Sequence, residues 1–294
     1  MKLGSLHRFA FCVGTAVLLG GACYSDFAAA REPSARSKKD DKKENAYPHA
    51  TRQEPKVSLS ESAQKKINKA FDLMQEEKYA EAEKLADEVQ NDGKATPYAK
   101  ALALQTKGQV KWNQDDNLGA IELMKQAIAL DAMPNGNQFA AMFQLAQLYL
   151  MEEKYQESLA VLDDYVKQSG DNSSKVLAVR GNDLYRLEKY PEAIETIKQA
   201  LANSDKPEDS WRQILMASYF ETEQYGEAAK VLEADLAKDP NNKKAIQQLA
   251  SVYINDKQEA KAQQLMADAK AKGLFTTEDD YKQLAQLYNV ADKP

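Results

Sequence analysis

The sequence has few of the residues from which active sites are usually built. Its two cysteines, Cys12 and Cys23, and one of its two histidines, His7, lie within the first thirty residues, and the other histidine is His49. From residue 59 onward the chain therefore lacks the commonest metal ligand, the commonest general base and the thiol nucleophile. It also lacks a Gly-rich phosphate loop and a G-x-S-x-G motif. These absences predict a non-enzymatic protein with no metal, no cofactor and no small-molecule substrate.

Glycine and proline are also scarce, with 12 and 9 among 294 residues. Ala, Leu, Lys, Glu and Gln dominate instead, and because these side chains lose little rotamer freedom on a helix, the composition favours α-helix. Acidic pairs such as Asp115-Asp116 and Asp279-Asp280 offer carboxylates for acid–base chemistry. In a turn, however, such residues far more often cap a helix. The pairs are therefore interpreted as capping groups.

The first thirty residues have the organisation of a secretory signal peptide. Basic residues precede an apolar stretch over residues 9–22, and Ala28-Ala29-Ala30 offers a cleavage site. The apolar stretch of 14 residues is too short to span a bilayer. We therefore expect cleavage after Ala30 and export to the periplasm of a Gram-negative bacterium. The alternative is a lipoprotein processed at Cys23, although Leu19 stands one position too far from this cysteine for a good lipobox.

Charge divides the rest of the chain into two parts. Residues 31–58 are charged, poor in large apolar side chains and interrupted by prolines. Such a segment cannot bury enough surface to offset its ordering entropy, so it is predicted to be a disordered tether. Residues 59–294 carry 29 basic and 39 acidic side chains, a net charge of −10. This acidic body argues against nucleic-acid binding, which needs cations to displace counterions from phosphate.

Residues 59–294 contain a repeated helical pattern. A turn followed by Tyr, any residue, Glu and a small residue marks the register, and Tyr155, Tyr190 and Tyr225 are spaced by 35 and 35 residues. A small or apolar residue lies nine positions before each tyrosine and an apolar residue seven positions after it. The repeated units begin near residues 63, 101, 139, 174, 209 and 243, and a last helix is predicted over residues 278–290. The pattern indicates an all-α domain of helical hairpins.

This pattern resembles the tetratricopeptide repeat (TPR), a helix–turn–helix of about 34 residues. Small residues stand at positions 8 and 20, an aromatic residue at position 17, and Pro240 at position 32 of the fifth unit. The turn glycine is replaced by Glu153, Glu188 and Glu223, which predicts a longer or strained turn. The resemblance implies an α-solenoid, a right-handed superhelix of about six repeats with a C-terminal helix. It also implies that a concave groove, lined by the first helix of each repeat, binds another protein.

The groove is predicted from three positions on each first helix. Position 12 carries mostly large apolar residues, which supply contact area, and positions 5 and 9 carry many amides, which suit the backbone of an extended peptide. The predicted partner-binding residues are Gln105, Gln109, Trp112, Phe143, Gln147, Asn182, Tyr185, Gln213, Phe220, Gln247 and Ser251. The alternative is that some of them pack against neighbouring hairpins. A clamp for a C-terminal carboxylate is not expected, because only Asn182 and Arg186 match its pattern.

The C-terminal half more narrowly resembles the periplasmic TPR proteins that are encoded beside TonB, ExbB and ExbD. The resemblance rests on Trp211-Arg212-Gln213-Ile214-Leu215-Met216, on Lys272-Gly273-Leu274-Phe275-Thr276 and on the helix from Tyr281 to Tyr288. It implies an accessory scaffold of an energy-transducing nutrient-uptake system, with components of the TonB system as partners. Two alternatives remain: a scaffold for cell-wall or outer-membrane assembly, and a polysaccharide-binding module, which would favour aromatic platforms over amides.

Overall fold

The computed structural model describes residues 46–278, 280–282 and 284–285. Twelve α-helices lie between residues 61 and 271 of this part of the chain. They are α1 (Glu61–Gln75), α2 (Tyr79–Gln90), α3 (Pro97–Asn113), α4 (Asn117–Ala129), α5 (Asn135–Met151), α6 (Tyr155–Ser169), α7 (Ser174–Arg186), α8 (Tyr190–Ala202), α9 (Asp209–Glu221), α10 (Tyr225–Lys238), α11 (Lys243–Asn255) and α12 (Glu259–Ala271). The predicted signal peptide, the alternative lipidation site at Cys23 and residues 31–45 lie outside the described residues.

The helices belong to two compact units. The first unit contains residues 46–189 and 196–207, and the second contains residues 190–195 and the described residues from 208 onward. In the first unit each helix from α1 to α6 packs against the next one, and α1 also contacts α3, as α5 contacts α7. In the second unit α9 packs on α10, α10 on α11 and α11 on α12. The prediction of an all-α fold of consecutive helical hairpins is confirmed.

In each of the six hairpins, one tight turn joins the two helices. In the third repeat, Lys154 N donates to Tyr149 O at 2.8 Å and Glu153 N donates to Leu150 O at 3.2 Å, the hydrogen bonds of a Schellman motif. The same pair of bonds recurs in all six turns. The residue that would ordinarily be glycine has a positive φ, between 55° and 61°, at Glu77, Asp115, Glu153, Glu188, Glu223 and Lys257. The turns therefore keep the normal length and are strained, because a side chain disfavours this left-handed conformation.

The longer repeat intervals have a structural cause. The last three first helices, α7, α9 and α11, have 13 residues and begin at the predicted positions 174, 209 and 243. By contrast, α3 and α5 have 17 residues and begin four residues before the predicted starts at 101 and 139. The additional residues thus form one more helical turn at the N-terminus of α3 and of α5.

Small side chains allow the helices to approach closely, as the TPR pattern requires. Ala70, Gly108, Ala146 and Gly181 occupy position 8 of the first four repeats and are buried. At Gly181 a Cβ atom would lie 2.4 Å from Ile197 Cδ1 and 2.6 Å from Ile197 Cγ1, so α7 and α8 touch at this point. Between the hairpins of the first unit, larger residues such as Met124, Leu148 and Leu162 fill the core.

Polar caps begin several of the helices. Asp116 is the N-cap of α4 and accepts from Gly119 N at 2.9 Å, while Asp115 occupies the preceding left-handed turn position. After α12, residues 278, 280–282, 284 and 285 are helical, where the C-terminal helix is predicted. Asp280 accepts from Thr276 N and Thr277 N, each at 2.9 Å, and Lys243 donates to it at 2.7 Å. The nearby Lys243 ammonium and these hydrogen bonds lower the pKa of Asp280. Its neighbour Asp279 lies outside the described residues.

The described end of the predicted tether is ordered. Residues 46–58 contain no helix or strand, begin with a turn in which Ala50 N donates to Tyr47 O at 3.2 Å, and make defined hydrogen bonds to the first unit, in contrast to the disorder expected for residues 31–58. The reason is that Tyr47 packs against the buried Phe139 and the Arg52 side chain finds hydrogen-bond partners in the repeats, which a count of apolar residues along the segment does not reveal. We call residues 46–58 the N-terminal strap.

Candidate partner-binding surface

The candidate surface is the face of the first helices that carries large side chains at position 12. In the first unit, Trp112, Leu150 and Tyr185 are half-buried at this position, whereas Met74 of the first repeat is buried. In the second unit, Phe220 and Ile254 are half-buried as well. The half-buried aromatic side chains at position 12 of the second, fourth and fifth repeats provide anchors for a ligand, because each one loses further exposed apolar area on contact.

Two of the glutamines that are predicted to bind a partner are buried within the repeats. Gln105 and Gln109 of α3 are buried. Gln109 Nε2 donates to Asn113 Oδ1 at 3.1 Å, and Gln109 Oε1 accepts from Gln144 Nε2 at 3.1 Å. The second of these bonds connects α3 with α5, two first helices of adjacent repeats. Since both ends of the Gln109 amide have protein partners, a ligand would have to compete with these bonds.

Trp112 and Phe143, two aromatic residues of the first unit that are predicted to bind a partner, are also held by packing. Trp112 packs against the core cluster that includes Ile121, Met124 and Tyr149. Phe143 packs beside Tyr165 with a ring-centroid distance of 6.1 Å. Because neither side chain is fully buried, each one packs against the core and keeps part of its surface exposed. This arrangement orients the exposed part without the entropy cost of ordering a mobile ring.

The remaining predicted residues are half-buried. In the first unit these are Gln147 of α5 and Asn182 of α7. In the second unit Gln213, Gln247 and Ser251 are half-buried, and Ser251 Oγ donates to Gln247 O of its own helix at 3.1 Å. The Phe220 ring forms an edge contact with Tyr225 at 5.5 Å. All of these predicted residues lie on the first helices of their repeats.

Arg186, one of the two residues that match the carboxylate-clamp pattern, contacts an aromatic ring. Its guanidinium carbon is 6.0 Å from the centre of the Tyr155 ring, at the distance of a cation–π contact. Among the described residues no group of three His, Cys, Asp or Glu side chains comes together that could hold a metal ion. The helices in the described part are all too short or too polar to cross a membrane.

One buried carboxyl group was not singled out from the sequence. Asp183 of α7 is 0% exposed, and its Oδ2 lies 2.6 Å from Ser158 Oγ, while Oδ1 has no hydrogen-bond partner in the protein. Burial raises the pKa of Asp183 to about 7. The sequence offers no sign of this, because an aspartate on a predicted helix is most simply a solvated residue.

Comparison with known proteins identifies the repeats. A family model described as a tetratricopeptide repeat-like domain matches residues 51–218, more than half of the chain. The chain belongs to this TPR-like family. No curated protein matches it. The repeats thus form a TPR-type scaffold, an architecture associated with protein–protein interaction.

Solved TPR structures share this fold at low sequence identity. A tetratricopeptide repeat protein from Parabacteroides merdae aligns with a TM-score of 0.53 and 15% identity, over 78% of this chain and 86% of that one. The C-terminal part of a TPR repeat-containing protein from Cytophaga hutchinsonii aligns with a TM-score of 0.52 and 13% identity, over 70% and 80%. MamA from Desulfovibrio magneticus RS-1 aligns with a TM-score of 0.50 and 20% identity, over 62% and 99%. At these identities the likeness concerns the TPR fold alone.

Proposed function

We propose that this protein is a periplasmic, non-enzymatic TPR scaffold that binds an extended segment or a domain of a partner protein through its first helices. The observation that carries the proposal is the position-12 series, in which Trp112, Tyr185 and Phe220 remain half-buried at equivalent places in their repeats. Large aromatic side chains are costly to leave partly exposed, and they are enriched among residues that dominate protein–protein binding.

Amide side chains supply the second part of the proposed recognition. Gln147 and Asn182 occupy position 9 of the third and fourth repeats and are half-buried. An amide both donates and accepts, so it can pair with the N–H and C=O groups of a peptide backbone. Gln105 and Gln109 are assigned a supporting role instead, because they are buried and Gln109 is hydrogen-bonded on both sides.

The proposed partner is a component of a TonB-type nutrient-uptake system. This part of the proposal rests on the resemblance carried by the stretch from Trp211 to Met216 and by Lys272 to Thr276. A client in cell-envelope assembly would leave the scaffold function unchanged and alter only the partner.

In-cell photo-crosslinking tests the proposal. A photoreactive residue is placed at Tyr185 or at Phe220, and the adducts are identified by mass spectrometry. A matched control carries the same residue at Gln126, which is exposed on the second helix α4. We expect a discrete protein adduct from positions 185 and 220 and none from position 126.

The identity of the adduct decides the finer points. A TonB-system subunit would support both the surface and the partner class, whereas another envelope protein would support the surface and exclude the TonB assignment. Equal labelling from Gln126, or reproducible silence from both test positions in folded and exported protein, would show that the position-12 residues serve packing.

A further inference from the structure

The N-terminal strap crosses the loops that connect consecutive repeats. Near its start Thr51 lies at the C-terminus of α6, and Arg52 reaches the loop between α4 and α5. At its end Ser58 O accepts from Thr96 Oγ1 at 2.7 Å, in the loop between α2 and α3. The strap therefore contacts three successive inter-repeat connections of the first unit. Its path differs from the row of position-12 residues on the first helices.

At α6 the strap caps a helix end. Thr51 N donates to Gln168 O at 2.9 Å, and Thr51 Oγ1 donates to Lys167 O at 3.0 Å. These carbonyls belong to the last turn, where the C=O groups have no N–H donors within the helix. The adjacent Gly170 has a φ of +68°, and a Cβ atom there would lie 2.8 Å from His49 Cβ and 2.9 Å from His49 O. Glycine at this position thus permits both the helix end and the close approach of the strap.

Arg52 is the polar anchor of the strap. Its side chain is only 6% exposed. Nε and Nη2 donate to Asp131 Oδ1 at 2.8 and 2.7 Å, Nη2 also reaches Asp131 O at 3.2 Å, and Nη1 donates to Asn135 Oδ1 at 2.6 Å. In return, Asn135 Nδ2 donates to Arg52 O at 3.3 Å, and Asn135 N donates to Glu54 Oε1 at 3.2 Å. The rigid guanidinium fork makes this an orientation-specific contact that a lysine would not reproduce.

Tyr47 is the apolar anchor. Its ring lies edge-on to Phe139 with a centroid distance of 4.8 Å and packs against the buried cluster that contains Phe139 and Tyr165. The strap also contains Pro48, in the turn that the Ala50 N to Tyr47 O hydrogen bond closes, and Pro55. The fixed φ of proline lowers the entropy lost on docking. Asn135 and Phe139 lie in the first five residues of α5, which include its additional N-terminal turn. The start of α5 and the loop before it thus contact both anchors, through Asp131, Asn135 and Phe139. We call this part of the third repeat the seat.

We propose that this seat is a second binding site, specific for a peptide segment that has an aromatic residue at the start of a β-turn and an arginine five positions after it, and that the strap is its resident ligand. The contacts are made by backbone groups, one aromatic ring, one guanidinium, the Thr51 hydroxyl and the Glu54 carboxylate, so a partner protein that carries these groups at the same spacing can make them too. Covalent linkage gives the strap a high effective concentration. The resident strap therefore keeps the site closed until a partner segment displaces it.

The test uses the full chain and a fluorescent peptide with the sequence of residues 46–58, followed by fluorescence anisotropy. In the variant Tyr47→Ala/Arg52→Ala the resident strap loses both anchors. We expect this variant to bind the peptide saturably and at least about tenfold more tightly than the unaltered chain, in which the strap competes. A peptide with Arg52→Ala should bind at least about tenfold more weakly than the parent peptide, because it lacks several charge-assisted hydrogen bonds.

Matched controls connect the binding to this site. A peptide with Gln53→Ala, at an exposed strap position, should bind like the parent peptide. Adding Asp131→Ala and Asn135→Ala to the protein variant should abolish binding. Circular dichroism checks that the variants are folded, and Arg52→Lys serves as a milder second variant. If neither the Tyr47→Ala/Arg52→Ala variant nor the Arg52→Lys variant binds the peptide saturably although both are folded, the proposal is overturned. A dimeric mass of the unaltered chain in light scattering, lost in the double variant, would also overturn it, because the ligand would then be a second copy.

Discussion

Asp183 is a buried carboxyl group whose hydrogen bonds indicate its protonation state. Ser158 Oγ lies 2.9 Å from Ala146 O and 2.6 Å from Asp183 Oδ2. A hydroxyl group has one proton, and the Ala146 carbonyl can only accept. The hydrogen between Ser158 and Asp183 must therefore come from the carboxyl group if both contacts are hydrogen bonds. This conclusion agrees with the pKa of Asp183, which burial raises to about 7.

The raised pKa makes stability depend on pH in a definite direction. Between the ordinary value of 3.8 and about 7, the folded state keeps the Asp183 proton that the unfolded state has lost. Stability contributed by this proton is therefore fully present below the ordinary pKa and is lost as the pH rises towards 7, by at most about 1.4 kcal/mol per pH unit. We expect Asp183→Asn to remove this slope and to be more stable than the unaltered protein at pH 8. Urea unfolding between pH 4 and 8, followed by circular dichroism, measures it.

An exposed aspartate provides the control for this prediction. Asp164 lies on α6 and is exposed, so Asp164→Asn should leave the pH dependence of unfolding as it is in the unaltered protein. An undiminished slope in Asp183→Asn would mean that other groups determine the pH dependence and that the carboxyl group is not held protonated.

Among the structural elements, the hairpin turns carry a recurrent strain. At each turn a residue with a side chain occupies the left-handed position that glycine would fill without steric cost. Tyr, Glu and a small residue follow in most repeats, so the local sequence specifies the start of the second helix even though the turn residue is unfavourable. The strain is tolerated because the flanking helices are fixed by their packing.

Glu153→Gly relieves the strain in one turn. Glu153 has a φ of 56°, and we expect the glycine variant to be more stable by roughly 0.5–1 kcal/mol, despite the larger backbone entropy of glycine in the unfolded chain. Ala160→Gly is the matched control: it changes an exposed residue in the interior of α6, in the same hairpin, and should destabilise by a similar amount. Thermal unfolding of both variants shows whether each substitution raises or lowers the stability. A loss of stability in Glu153→Gly would show that the glutamate side chain contributes a contact that outweighs the strain.

On the scale of the whole molecule, the sequence predicts an N-terminal export signal, followed by a charged linking segment and an acidic repeat region. We expect the exported protein to begin at Arg31, because cleavage after Ala30 follows from the A-x-A site. Mass spectrometry of the protein purified from a periplasmic fraction measures this N-terminus. An N-terminal cysteine carrying lipid, corresponding to Cys23, would replace this prediction with the lipoprotein alternative.

Much of the fold follows from local periodicity. The register marked by Tyr155, Tyr190 and Tyr225 depends on which residues face the neighbouring helix, and this repeats along the chain with the helical period. Most of the hairpins therefore share one signature in the sequence, and the all-α repeat architecture is predictable from it. The first-helix assignment of the candidate surface is predictable for the same reason, since positions 5, 9 and 12 are counted from the start of each repeat.

Long-range contacts decided what the sequence alone left open. Arg52 meets Asp131 and Asn135 across 79 and 83 residues, and Ser158 meets Asp183 across 25 residues, so no local pattern predicts these pairs. The same applies to Gln109, whose partner Gln144 lies 35 residues away on the next first helix. The hairpins and their register were thus determined by the sequence, because they depend on neighbours within about one repeat. The order of the strap, the burial of Gln109 and the protonation of Asp183 were decided only by the tertiary structure, because they depend on which distant groups desolvate or pair with each side chain.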